Sequence, residues 1–126
     1  MRYPRIMHVD DDDDDQEIFQ TALQQVNPSV DYVPVNSALA ALDQLLNKEL
    51  EADLIFLDLN MPEMNGQQFL TEIRKHEQLR GIPVIVFSTS SHIPTIELVK
   101  ELGARDFITK PANFKEMIQI LKSILL

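Results

Sequence analysis

Short apolar runs alternate with amphipathic segments along the chain. Apolar residues fill every position of Leu54–Leu57 and Val84–Phe87, a pattern typical of parallel strands covered on both faces. Pro34 cannot donate a ladder hydrogen bond, and the last run is short and polar at its end, so we expect the second and fifth strands at the edges of a sheet. The predicted strands are Arg5–Val9, Tyr32–Val35, Leu54–Leu57, Pro83–Phe87 and Phe107–Thr109.

The segments between these runs carry apolar residues at helical spacing. The first three helices are predicted around residues 18–26, 39–46 and 69–73. The fourth should begin near Pro94 and end at Gly103, since proline is favoured in the first turn and glycine just past the last. Asn113 and Glu116 have the spacing of a capping box and predict the start of a fifth helix.

Five β–α units in series predict an α/β fold, because such alternation implies a parallel sheet with helices on both faces. Right-handed crossovers limit the possible topologies. The edge assignments fit strand order 2-1-3-4-5, the flavodoxin-like (βα)5 form of the doubly wound sheet. A length of 126 residues is that of one ordinary domain, so we expect residues 1–126 to form a single domain.

The net charge of −9 argues against nucleic acid and anionic membranes as partners, because both are bound through clustered Lys and Arg. No apolar run approaches the roughly 18–20 residues of a membrane-spanning helix. The first five residues contain no apolar stretch of a signal peptide. The chain has no cysteine, which excludes disulfides and thiolate zinc sites. A cytoplasmic location is the default expectation.

Polar residues follow four of the predicted strands, where ligands bind in doubly wound sheets. They are Asp10 and Asp11 after the first strand, Asp58 after the third, Ser88 and Thr89 after the fourth, and Lys110 and Pro111 after the fifth. Three carboxylates, a hydroxyl and an ammonium should therefore meet in one crevice. Carboxylate oxygens of this kind suit Mg²⁺.

Simpler interpretations compete for some of these residues. An acidic run such as Asp10–Asp15 before a helix is often a solvated first turn stabilised by the helix dipole. Asp58 is different, because it follows four apolar residues of a central strand, where a lone charge is costly to bury. An EF-hand counted from Asp10 would need glycine where Asp15 stands and glutamate where Thr21 stands.

The three histidines do not indicate a hydrolytic triad, because none has a spaced Ser and Asp context. We expect His8 on a strand face, and His76 and His92 near helix ends.

The segments Ile6–Asp11, Asp58–Pro62 and Lys110–Pro111, together with Gly66 and Ser88, resemble the receiver domain of two-component response regulators. The resemblance covers the whole chain and implies a stand-alone receiver, similar to chemotaxis regulators, that acts as a monomer or weak dimer. It implies that Asp58 accepts a phosphoryl group from a histidine kinase or a histidine phosphotransfer protein. Such a protein catalyses only its own phosphorylation and dephosphorylation, and signals by protein contact.

The same resemblance implies roles for individual residues. Asp11 and Asp58 would bind Mg²⁺ together with the backbone carbonyl of Asn60, and Asp10 would support them. Ser88 would hydrogen-bond the phosphoryl group, and Lys110 would pair with it. Phosphoryl transfer depends mostly on positioning and charge stabilisation, so this set needs no general base.

The resemblance also implies a switch and a backbone feature. Ser88 would move toward the phosphoryl group, and the aromatic residue Phe107 would rotate inward, which changes the surface of helix 4, strand 5 and helix 5. The Lys110–Pro111 bond is predicted to be cis, which would turn Lys110 into the crevice.

Two departures from the family pattern matter. Phe107 stands where many receivers carry a switching tyrosine and has no hydroxyl. The run Asp10–Asp15 also blurs the register of the metal ligands, because Asp12 would replace Asp11 if the first strand ended one residue later.

Two other functions are compatible with parts of this pattern. A haloacid-dehalogenase-like phosphatase also uses an aspartyl nucleophile and Mg²⁺, but Asn60 stands where its second aspartate would act as general acid. A degenerate receiver that only docks partners would never be phosphorylated, and the intact acidic residues, Ser88 and Lys110 argue against it.

Overall fold

Five strands and five helices alternate in the computed structural model, which describes residues 2–126. The strands are β1 (Arg5–Val9), β2 (Asp31–Val35), β3 (Leu54–Leu57), β4 (Val84–Ser88) and β5 (Asp106–Thr109). The helices are α1 (Asp13–Val26), α2 (Ala38–Leu46), α3 (Gly66–Lys75), α4 (Ile93–Glu101) and α5 (Phe114–Leu125). The predicted elements agree with these to within three residues at their ends, except that α1 begins at Asp13, five residues before the predicted start.

The strands form one parallel sheet in the order β2-β1-β3-β4-β5, which confirms the predicted flavodoxin-like topology. Pro34 lies in the edge strand β2, opposite His8 of β1, where only one side of the strand has a partner. The central strands β3 and β4 are buried throughout. Their continuous apolar sequences follow from cover on both faces.

The two faces of the sheet carry separate hydrophobic clusters. Helices α1 and α5 cover one face, and α2, α3 and α4 cover the other. On the α1–α5 face, Phe19 meets Phe56 edge-on with ring centroids 4.8 Å apart, and Phe56 meets Phe87 at 6.1 Å. Full burial of each such ring stabilises the fold by about 1.5–3 kcal/mol. This cluster anchors β3 and β4, the strands that lead to the polar edge.

Side chains cap the N-terminal ends of most of the helices. Asp12 accepts hydrogen bonds from the backbone N–H groups of Asp14 and Asp15, and Asn113 accepts one from Glu116. Caps of this kind contribute about 1 kcal/mol each. No helix of residues 2–126 has both the length and the apolar composition needed to cross a bilayer.

Gly66 brings the start of α3 against the end of β3. Its N–H donates to the carbonyl of Leu59 at 3.0 Å. A Cβ atom at this position would lie 2.6 Å from Leu59 Cδ2 and 2.8 Å from the carbonyl oxygen of Asp58. Because backbone is among these neighbours, a larger residue would displace the loop that follows Asp58.

Gly66→Ala should lower the free energy of unfolding by about 1–3 kcal/mol, the usual cost of overpacking. Gly81→Ala is the matched control, because a Cβ there meets nothing within 4 Å, and it should change stability by less than about 0.5 kcal/mol. Urea unfolding of both variants measures the difference. Equal stabilities would contradict the close packing at Gly66.

Candidate functional site

Backbone hydrogen bonds continue past the strand ends and position the polar residues there. The N–H of Asp10 donates to Val35 at 3.0 Å, and that of Asp58 donates to Val9 at 2.9 Å. The N–H of Lys110 donates to the carbonyl of Ser88 at 2.7 Å. The sheet therefore holds these backbones at one edge, as the strand pattern predicts.

Three carboxylates converge at this edge. One carboxylate oxygen from each of Asp10, Asp11 and Asp58 lies within 4.8 Å of the other two. Asp10 and Asp58 are buried and Asp11 is exposed. Asp58 Oδ1 accepts the backbone N–H of Leu59 at 2.9 Å, and its Oδ2 faces the ammonium of Lys110. This oxygen-rich set fits a hard divalent cation.

Asp12 lies outside this group of three carboxylates. Its side chain accepts hydrogen bonds from backbone N–H groups at the start of α1 and so forms the N-terminal cap of that helix. Strand β1 ends at Val9, and Asp11 rather than Asp12 joins Asp10 and Asp58.

Lys110 supplies the positive charge of the site. Its Nζ lies 2.8 Å from Asp15 Oδ2, 3.0 Å from Asp10 Oδ2 and 4.0 Å from Asp58 Oδ2. The contact with Asp15 is absent from the sequence-based prediction, which placed Asp15 in the solvated first turn of the helix. The only sequence signal was its position in the first turn of α1.

The pKa values show how burial and pairing compete at this site. Burial raises the pKa of Asp10 and of Asp58, and Lys110 opposes the rise in both. Burial acts to lower the pKa of Lys110, but its hydrogen bonds to Asp15 and Asp10 outweigh burial and the pKa is raised. The Lys110 side chain is therefore protonated at neutral pH. Because the carboxylates around it outnumber this one ammonium, the site has a net negative charge that a metal ion would neutralise.

The remaining predicted residues lie around this group. Ser88 is buried at the end of β4, and its Oγ accepts the N–H of Ser90 at 3.3 Å. Asn60 is exposed in the loop after β3, and its backbone N–H helps to lower the pKa of Asp58. Phe107 is half-buried in β5 and packs on the cluster beneath α4.

The predicted cis bond at Lys110–Pro111 is wrong, because the peptide bonds of the described residues are all trans. The trans isomer of an X–Pro bond is favoured by about 0.5–1 kcal/mol. Lys110 also reaches Asp10 and Asp15 from the trans backbone, so no isomerisation is needed to turn it into the crevice.

Comparison with known proteins assigns the family. The sequence-family model of the response regulator receiver domain matches residues 6–122. The two-component response regulator ORR8 of Oryza sativa is 32% identical over 124 residues, which cover 98% of this chain and 100% of that protein. This chain belongs to the response regulator receiver domain family.

Two solved structures extend the comparison to the receiver fold. The phosphorylated cyanobacterial phytochrome response regulator RcpA is 33% identical, with a TM-score of 0.88 over 97% of this chain and 91% of that chain. The Mn²⁺-bound form of response regulator Rcp1 is 28% identical, with a TM-score of 0.86 over 96% of this chain and 91% of that chain. Receivers accept phosphoryl groups and bind divalent metals, and the acidic group of this receiver fits both properties.

A buried polar network lies behind the carboxylates of this receiver. His8 Nδ1 is 2.8 Å from the Tyr32 hydroxyl, which donates to the carbonyl of Gln16 at 3.1 Å. His8 Nε2 lies 3.6 Å from Asp10 Oδ2. Despite that carboxylate, burial and the charge of Lys110 lower the pKa of His8 to about 3. The strand-face position predicted for His8 is confirmed. Its contacts with Asp10 and Tyr32 could not be predicted from the sequence, because they depend on the fold.

The lowered pKa of His8 predicts acid destabilisation. A histidine that stays neutral in the fold contributes full stability above its unfolded pKa of 6.5 and loses that contribution as the pH falls toward 3. Between pH 7.5 and pH 5 the loss should be about 2 kcal/mol. The raised pKa values of Asp10 and Asp58 act in the opposite direction, so the effect must be measured as a difference between proteins.

Urea unfolding at several pH values should show a shallower loss of stability on acidification in His8→Gln than in the wild type. His92→Gln is the matched control, because it removes an exposed imidazole instead of a buried one. Parallel pH profiles for His8→Gln and the wild type would show that His8 does not carry the effect.

Proposed function

We propose that this receiver takes a phosphoryl group onto Asp58 from a histidine kinase or a histidine phosphotransfer protein, in a Mg²⁺-dependent reaction. The observation that carries the proposal is the meeting of Asp10, Asp11 and Asp58 with one ammonium, that of Lys110, at the carboxyl edge of the sheet. The relatives named as response regulators support the same interpretation.

The geometry favours Oδ2 of Asp58 as the attacking atom. Oδ1 already accepts the N–H of Leu59, whereas Oδ2 faces Lys110 from 4.0 Å. In the transfer, Oδ2 forms a bond to phosphorus and the bond from phosphorus to the donor's imidazole nitrogen breaks. The imidazole nitrogen keeps the electron pair, and an imidazole protonated on its other nitrogen then leaves as a neutral ring. Asp58 reacts as a carboxylate, so no base has to remove a proton from it.

Charge stabilisation is the main requirement of this reaction. Asp10, Asp11 and Asp58, with the backbone carbonyl of Asn60, would hold Mg²⁺, which neutralises charge on the phosphoryl oxygens. Lys110 would pair with the phosphoryl group, and the hydroxyl of Ser88 would donate a hydrogen bond to it. The resemblance to receivers implies these assignments, and the placement of the side chains at one edge of the sheet supports them.

We place the output surface on α4, β5 and α5. On α4, Ile93 is 66% exposed and Leu98 is 44% exposed, so apolar side chains face solvent there. Phe107 pairs in register with Val86 of β4, two residues before Ser88. A movement of Ser88 toward Asp58 can therefore reach Phe107 and α4 through adjoining strands. The downstream partner would be a protein, and the compartment the cytoplasm.

Incubation with acetyl phosphate and Mg²⁺ should add one phosphoryl group, measured by intact mass. Asp58→Asn should abolish the gain, because the amide is not a nucleophile of comparable strength. Asp31→Asn is the matched control, since it removes an exposed carboxylate at the opposite end of the sheet and should leave labelling intact. Chelation of Mg²⁺ should suppress labelling of the wild type.

An unlabelled wild-type protein would favour a degenerate docking receiver, and steady turnover of a phosphate ester would favour a phosphatase. Amide exchange on the labelled sample locates the output surface. Residues 89–110 should respond more strongly than α2, and an equal response would contradict the proposed surface.

A further inference from the structure

Asp15 makes the shortest contact of the Lys110 ammonium. Its Oδ2 is 2.8 Å from Nζ, Asp10 Oδ2 is 3.0 Å away, and Asp58 Oδ2 is 4.0 Å away. An ammonium has three N–H donors, and two of them serve Asp10 and Asp15. The distance to Asp58 is too long for a hydrogen bond. The cation expected to face the phosphoacceptor is thus held mainly by two other carboxylates.

The two carboxylates that bind the Lys110 ammonium differ in how easily the ammonium can dissociate from them. The side chain of Asp10 is fully buried, so its charge depends on pairing with Lys110. The side chain of Asp15 is 37% exposed in the first turn of α1, and water can solvate it when the lysine departs. The contact with Asp15 is therefore the one that Lys110 can exchange for a new partner.

We infer that Asp15 is a positioning residue that draws Lys110 away from Asp58 until a phosphoryl group is present. The inference rests on the proposed function. Asp10 alone keeps the ammonium in the crevice, so removal of the Asp15 charge leaves Lys110 in place and releases one N–H donor toward Asp58. Asp15 thereby lowers the affinity of the site for a phosphoryl group. It also limits the pairing of Lys110 with Asp58 in the unphosphorylated receiver.

Asp14 offers a matched control for this inference. Asp14 and Asp15 are neighbours in the first turn of α1, and both backbone N–H groups donate to Asp12. The Asp14 side chain is exposed, and within residues 2–126 the ion pairs of Lys110 are with Asp10, Asp15 and Asp58. Asp14→Asn removes the same charge from the same turn without touching the lysine.

The test measures binding of beryllofluoride, a stable mimic of a phosphoryl group, in the presence of Mg²⁺ by ¹⁹F NMR. Asp15→Asn should bind it about two- to fivefold more tightly than the wild type, the range expected for a partly exposed ion pair. Asp14→Asn should bind like the wild type, and Asp15→Glu should return toward wild-type affinity. Thermal melts establish that each variant is folded.

A second readout follows Lys110 directly in the metal-free protein. The ¹³Cε resonance of Lys110 should shift in Asp15→Asn and stay in place in Asp14→Asn. Equal or weaker beryllofluoride binding by Asp15→Asn relative to Asp14→Asn would overturn the inference, and so would an unmoved Lys110 resonance. A wild-type protein that fails to bind beryllofluoride would overturn the proposed function and this inference with it.

Discussion

Mutual repulsion among carboxylates at one edge of the sheet is the constraint around which this receiver is organised. Parallel strands end on the same side, so residues that follow β1 and β3 must lie close together. Asp10 and Asp58 are buried there, and burial is the largest cause of the raised pKa of each. A neighbouring carboxylate adds to the rise, Asp15 for Asp10 and Asp10 for Asp58. One ammonium, that of Lys110, offsets part of the repulsion. The remaining negative charge at this edge favours the binding of a cation.

The rest of the fold holds these charges in place. Ladder hydrogen bonds extend one residue past the strands and restrain the backbones of Asp10, Asp58 and Lys110. Apolar clusters on both faces anchor the central strands beneath them. Gly66 lets α3 press on the loop after Asp58, so that loop has little room to relax. In a flexible site the carboxylates would move apart and relieve their repulsion. In this scaffold they are held close together and the repulsion remains.

Much of this arrangement could be predicted from the sequence, because strands and helices have distinct periodicities and the carboxyl edge collects the residues that follow strands. The edge position of Pro34 and the meeting of Asp10, Asp11, Asp58 and Lys110 followed from those rules. Asp15 did not, because the direction of a side chain in a first helical turn depends on how the helix leaves the sheet. The isomer at Pro111 was also mispredicted, because the cis bond was expected from the family resemblance, against the general trans preference of X–Pro bonds.

The partnership of His8 with Tyr32 shows the same limit. The two residues are 24 positions apart and meet only because β1 and β2 are adjacent. The sequence pattern predicts that His8 lies on a strand face, whereas the register of the neighbouring strand decides which side chain it contacts. Long-range side-chain pairs of this kind are therefore the part of the site that needs the three-dimensional structure.

The most direct test of a cation site formed by mutually repelling carboxylates is to measure the free energy of unfolding with and without Mg²⁺. At ten to a hundred times its Kd, a cation bound only by the native state should add about 1.4–2.7 kcal/mol. Asp11→Asn should lose that increment, and Asp14→Asn, which removes an exposed carboxylate outside the cluster, should retain it. An unchanged wild-type stability in Mg²⁺, or an equal increment in Asp11→Asn, would contradict a metal site formed by Asp10, Asp11 and Asp58.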